Sequence, residues 1–123
     1  MTTVLLAEDE RPIRAAQKAS LRRIEGVEVI EASDGVEALE LIIELAPEVV
    51  VLDVMMPRMG GVEVIRRVRV LDISPQILVM TALVQPGLIE ELRELGVHQV
   101  MTKPFKVADF VRTVAEMIDE INQ

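Results

Sequence analysis

The sequence predicts an α/β fold: a parallel sheet with helices on both faces. Short apolar runs rich in β-branched residues recur five times, and between them the apolar residues shift to helical spacing. The run Glu48-Val49-Val50-Val51-Leu52-Asp53 is apolar on both faces and too short for a helix, as expected of a central strand covered from both sides.

Taken in order, the first strand lies at Val4 to Ala7, and Pro12 suits the start of the first helix, where its missing N–H leaves no bond unmade. The second strand covers Val27 to Glu31. Asp34 followed by Glu37 resembles a capping box that opens the second helix, and Pro47 stops it. The third strand ends at Asp53. On the third helix Arg66, Arg67 and Arg69 read as a solvated face. The fourth strand runs from Gln76 to Met80. Pro86 suits the first turn of the fourth helix, Leu88, Leu92 and Leu95 form its apolar stripe, and Gly96 is a natural cap. His98, expected to be an ordinary surface or edge side chain, precedes a fifth strand at Gln99 to Thr102. The last helix carries Val107, Phe110, Val111, Val114, Ile118 and Ile121 at core spacing.

A chain of 123 residues matches one domain, residues 1–123, able to bury roughly two thirds of its unfolded surface. Without Cys it has no disulfide, thiolate nucleophile or Cys-based metal site, so a cytoplasmic location is expected. No apolar run approaches the roughly 20 residues of a membrane span, and the start lacks a signal peptide's basic region. Thirteen Lys+Arg against 21 Asp+Glu give a net charge of −8, the wrong sign for neutralising phosphates, so direct nucleic-acid binding is not expected. Phe105 and Phe110 are the only aromatics, which leaves little for stacking a base or a flavin. A single His makes neither a multi-histidine metal site nor a His-paired triad.

The chemistry gathers in acids. Glu8-Asp9 follow the first strand and Asp53 ends the third. Ligands of parallel α/β sheets collect at the carboxyl ends of strands where the winding reverses, so these carboxylates should converge there. Read singly, each is equally an acid that caps the helix behind it. Asp53-Val54-Met55-Met56-Pro57-Arg58-Met59-Gly60-Gly61 then sets a carboxylate at a strand tip before a Pro/Gly-shaped loop.

With Glu8-Asp9-Glu10-Arg11-Pro12, Asp34-Gly35-Val36-Glu37-Ala38-Leu39, Thr81-Ala82 and Lys103-Pro104-Phe105 in the same order, this segment makes the chain resemble, end to end, the receiver domain of two-component response regulators. The resemblance implies a flavodoxin-like (βα)5 doubly wound sheet of strand order 2-1-3-4-5, an order already known for a chemotaxis receiver. It implies that Asp53 accepts a phosphoryl group from a histidine kinase, a phosphotransfer protein or a small phosphodonor, and carboxylates do serve as covalent nucleophiles. It implies Mg²⁺, a cation suited to all-oxygen ligands, held by Asp9, Asp53 and the Met55 backbone carbonyl, with Glu8 acting through water. Lys103, before a cis peptide to Pro104, would aim its ammonium at the same place. Three carboxylates would then face three positive charges, and an aspartyl phosphate dianion would add one negative charge. The Thr81 hydroxyl and the Ala82 backbone N–H would answer it, shifting the following loop, the fourth helix and the fifth strand.

The chain departs from the family pattern at Val100, where an aromatic residue commonly stands, so the resemblance does not carry the Thr-to-aromatic coupling across. Gly60 replaces a frequent acid. The resemblance also implies slow self-dephosphorylation, not turnover of an external substrate, and a target-binding surface on the fourth helix, fifth strand and fifth helix that includes Glu90, Glu91, Arg93 and Glu94. Because the chain stops after the fifth helix, it is expected to act by contact with another protein.

Rival readings fit less well. A phosphohydrolase with an Asp nucleophile keeps a second Asp two residues on as general acid; here that residue is Met55, which transfers no proton. A kinase needs a Gly-rich phosphate loop, and a flavin carrier needs aromatic rings and a Ser/Thr-rich loop. A receiver-like module that binds partners without phosphorylation is the remaining alternative.

Overall fold

The computed structural model describes residues 1–82, 85–97 and 99–123, so the expectation for His98 lies outside the described residues. Strands β1 (Thr2–Ala7), β2 (Val27–Ala32), β3 (Val49–Asp53), β4 (Gln76–Thr81) and β5 (Gln99–Thr102) alternate with helices α1 (Arg11–Leu21), α2 (Gly35–Leu45), α3 (Gly61–Val70), α4 (Leu88–Glu94) and α5 (Val107–Ile121). The sheet is parallel, in the order β2-β1-β3-β4-β5.

Side-chain alternation along the strands builds two apolar layers. Leu5, Ala7, Val50, Leu52, Ile77 and Val79 face α2, α3 and α4, where Ile42, Val64, Ile65, Val68 and Leu92 meet them. Val4, Leu6, Val49, Val51, Leu78 and Met80 face Leu21 of α1 and Phe110, Val114, Met117 and Ile118 of α5. Every residue of β3 is buried, as its two-faced apolar run requires. The edge strands β2 and β5 are only partly covered and carry Glu28, Glu31 and Gln99.

Local signals explain several helix ends. Pro12 opens α1. Asp34 caps α2 by accepting from the Glu37 N–H at 2.8 Å, while the Glu37 carboxylate accepts from the Ser33 N–H, one residue earlier than the reciprocal bond of a full capping box. Gly96, at φ +77, follows the last turn of α4 as expected. Pro86, by contrast, lies in the turn ahead of α4 rather than in its first turn; Gly87 at φ +87 is the N-cap, a conformation only glycine adopts without strain. In α5 the stripe is shifted: Val107 is exposed and Met117 is buried.

The third-helix arginines divide. Arg66 and Arg67 are exposed and pair with Glu63 and Glu91, as a solvated face should. Arg69 instead turns inward. Its guanidinium donates to the backbone carbonyls of Leu95 (2.7 Å), Ile73 (3.1 Å) and Gly96 (3.2 Å). A cation there satisfies the orphan carbonyls at the C-terminus of the short α4 and faces the negative end of its dipole. Arg69→Met should lower stability by about 1–2 kcal/mol, with Arg69→Lys recovering part of it, as thermal melts would read.

Candidate functional site

The winding reverses between β1 and β3, which lie side by side in register from Val4↔Val49 to Ala7↔Leu52. Glu8 and Asp9 leave the end of β1 and Asp53 closes β3, so their carboxylates meet in the crevice at this switch point. One oxygen from each of Glu8, Asp9 and Asp53 lies within 4.8 Å of the others. Glu8 is 1% exposed and Asp53 5%, whereas Asp9 is open to solvent.

Lys103, brought in by the β5–α5 loop, bridges the two buried acids: its ammonium donates to Glu8 Oε1 and, at 2.8 Å, to Asp53 Oδ2. The Lys103-Pro104 peptide is cis, as the resemblance implies. Asp53 Oδ1 accepts from the Met55 N–H at 3.1 Å, and Glu8 Oε2 accepts from the Glu10 N–H at 3.1 Å. Met55 thus enters the site by its backbone, and its side chain is exposed.

The electrostatics follow from burial. Desolvation pushes the Glu8 carboxyl above its ordinary value and the nearby Asp53 charge adds to the rise, against the hydrogen bonds from Lys103 and the Glu10 N–H. Burial works to lower the Lys103 pKa, but its hydrogen bonds and charge contacts with Asp53 and Glu8 outweigh that and raise it. The ammonium therefore stays charged between the two acids. An all-oxygen donor set, with one carboxylate open to water, fits Mg²⁺, which keeps part of its water shell.

Thr81 ends β4, fully buried, one residue beyond Met80, the strand partner of Asp53. Ala82 follows it in an exposed bend. The Lys103 N–H donates to the Thr81 carbonyl at 2.8 Å, tying the two strand ends together. Val100 is half-buried and packs into the layer beneath α4.

Sequence reasoning missed three supports of the site. Arg14 of α1 donates to the Glu8 backbone carbonyl at 2.7 Å and is held by Glu31 at 3.2 Å; nothing local in the sequence marks that reach to another strand. Gly35 and Gly61 are the others. A Cβ on Gly35 would sit 1.8 Å from the Met59 carbonyl oxygen, and one on Gly61 would sit 2.3 Å from the carbonyl oxygen of Asp53. The Gly60-Gly61 pair signals a turn, and its second glycine lets α3 begin against the backbone that aims Asp53. Gly61→Ala should therefore destabilise by about 2–3 kcal/mol and move the Asp53 loop, read by denaturation and by weakened Mg²⁺ binding.

The comparison with known families agrees with this geometry. Residues 4–115 match the response regulator receiver domain. The chain belongs to that family. It is 39% identical over 112 residues to the transcriptional regulatory protein PdtaR of Mycobacterium tuberculosis, covering 90% of this chain and 54% of that protein. It is 31% identical over 104 residues to sporulation initiation phosphotransferase F of Bacillus subtilis, covering 85% and 83%. The chain thus spans about half the length of several curated relatives it matches. Among solved structures, chemotaxis protein CheY4 of Vibrio cholerae superposes with a TM-score of 0.85 at 30% identity, covering 95% of this chain and 98% of that one. As a receiver domain the chain is a component of two-component signalling. Among the described residues, no helix is long and apolar enough to cross a membrane.

Proposed function

We propose that residues 1–123 act as one receiver domain in the cytoplasm, accepting a phosphoryl group on Asp53 and altering a partner-binding surface through Thr81, Ala82 and Lys103. The observation that carries this reading is the convergence of Glu8, Asp9 and Asp53 within 4.8 Å, with Lys103 bridging the two buried acids. The similarity to a protein named as a phosphotransferase supports phosphoryl transfer to this chain, and we take the donor to be a phosphohistidine, as the family resemblance implies.

In the transfer, an Asp53 oxygen attacks phosphorus, the P–N bond to the donor's imidazole breaks, and the released nitrogen takes up a proton. Asp9, Asp53 and the Met55 carbonyl would hold Mg²⁺, with Glu8 acting through water; the ion supplies positive charge to the phosphoryl oxygens. Lys103 supplies a fixed cation on the other side of Asp53. The product carries one more negative charge than the carboxylate, and the Thr81 hydroxyl and Ala82 N–H would answer it as donors. Because Lys103 N–H bonds the Thr81 carbonyl, a shift at either residue draws on both β4 and β5, and so on the α4–β5–α5 surface that includes Glu90, Glu91, Arg93 and Glu94. Val100, an aliphatic side chain held in the core layer, leaves that backbone link as the route in place of a swinging ring. The domain regulates a partner and loses its phosphoryl group slowly; it does not turn over an external substrate.

Amide NMR of the protein with Mg²⁺, before and after addition of a small phosphodonor, tests the reading. Shifts should concentrate at Asp53, Thr81, Ala82 and Lys103 and extend into α4 and β5. Changes confined to the Asp53 loop would leave the protein without the proposed output, favouring an interaction module that works without phosphorylation.

A further inference from the structure

Among the described residues seven large apolar side chains are exposed, and four of them gather on two neighbouring helices: Ile43 and Leu45 (53% and 47% exposed) end α2, while Val70 and Leu71 (85% and 51%) end and follow α3, the other three being Met1, Met55 and Val107. Both helices run back along a parallel sheet, so these ends lie together at the pole opposite Asp53. Between the helices runs a groove of about 350 Å³ lined by Leu39, Glu63, Arg66, Arg67, Val70 and Leu71. Ile43 continues the Leu39 side of α2 by one turn.

We propose that this α2–α3 face binds a second copy of the same chain through a two-fold, self-complementary contact. A net charge of −8 makes two copies repel, so a face that pairs them must place opposite charges across it. This one does. The exposed edge of α2 carries Glu40 and Glu44 and no basic residue, whereas α3 exposes Arg66 and Arg67 beside its single Glu63. A two-fold axis through the groove sets the acidic edge of one copy against the arginine edge of the other, twice, around a centre of Ile43, Val70 and Leu71. The ion pairs of Arg66 and Arg67 with Glu63 and Glu91 are solvent-exposed and worth little in water, so the guanidinium groups are free to exchange partners. The face lies at the pole opposite the carboxylate site and meets the α4–β5–α5 surface through the exposed Arg66–Glu91 pair, so a dimer is expected whether or not Asp53 accepts a phosphoryl group.

Sedimentation velocity of the full chain from about 1 µM to about 0.5 mM tests it. Wild type should show a concentration-dependent monomer–dimer equilibrium. Val70→Glu, at a position too exposed to threaten the fold, should raise the dimer Kd by about tenfold or more. Glu44→Arg and Arg67→Glu should each weaken the dimer, and their combination should restore it, because in a two-fold contact each reversed charge meets the other across the interface. A wild type that stays monomeric throughout overturns the proposal and leaves the face to a different protein. A dimer insensitive to Val70→Glu, or weakened further by combining the two reversals, overturns it as well.

Discussion

Lys103→Ala should destabilise the protein by about 3 kcal/mol near neutral pH in magnesium-free buffer, because it strips the cation from two buried acids and leaves their mutual repulsion unanswered. The loss depends on pH in a defined direction. Burial raises the Glu8 pKa above its ordinary 4.5, so only between the ordinary and the raised value does the folded protein hold a proton that the unfolded chain has released. That group's contribution falls as pH climbs from 4.5 through the raised folded value. Removing Lys103 takes away a contact that lowers the Glu8 pKa and extends the window upward. The deficit of the variant relative to wild type should therefore be small near about pH 5 and grow towards about pH 7, as urea denaturation at both would read. Equal deficits would mean that Lys103 does not compensate these acids. The variant should still accept a phosphoryl group on Asp53 while losing the amide shifts in β4 and β5, since the tie to Thr81 would no longer feel the charge at Asp53.

Asp53→Asn should abolish phosphoryl incorporation and leave the fold intact. The amide retains an oxygen to accept the Met55 N–H, now bonded at 3.1 Å, so the β3–α3 loop keeps its anchor. It removes one of three clustered carboxylates, which relieves repulsion but should weaken Mg²⁺ binding by at least about tenfold, since affinity for a hard cation follows ligand charge. Calorimetric Mg²⁺ titration measures the second effect, and circular dichroism checks the fold. Unchanged labelling of this variant would move the acceptor to another residue.

What the sequence revealed and what it concealed divide by range. β3 is legible because a run apolar on both faces has one comfortable place, the middle of a covered sheet, and the caps at Asp34 and Gly96 are legible because their partners lie within a few residues. Glu8, Asp9 and Asp53 are legible as strand-end acids, but only the strand order makes them neighbours, and periodicity carries no strand order. The Lys103–Glu8 contact joins residues 95 apart, and Arg69 reaches carbonyls 26 and 27 positions away. Such pairings have no local signature, so Arg69 reads as one more surface arginine until α4 is seen ending against it. Pro86 fails for a related reason: a proline suits a helix's first turn and the turn before it alike, and the left-handed Gly87 decides between them.

Intact-protein mass spectrometry of wild type incubated with acetyl phosphate, in Mg²⁺ and in chelator, followed by mapping of the modified residue, tests the central claim most directly. The account predicts a single phosphoryl adduct, formed only with the metal and located on Asp53. An adduct that forms equally well in chelator, or one that maps away from Asp53, would contradict it.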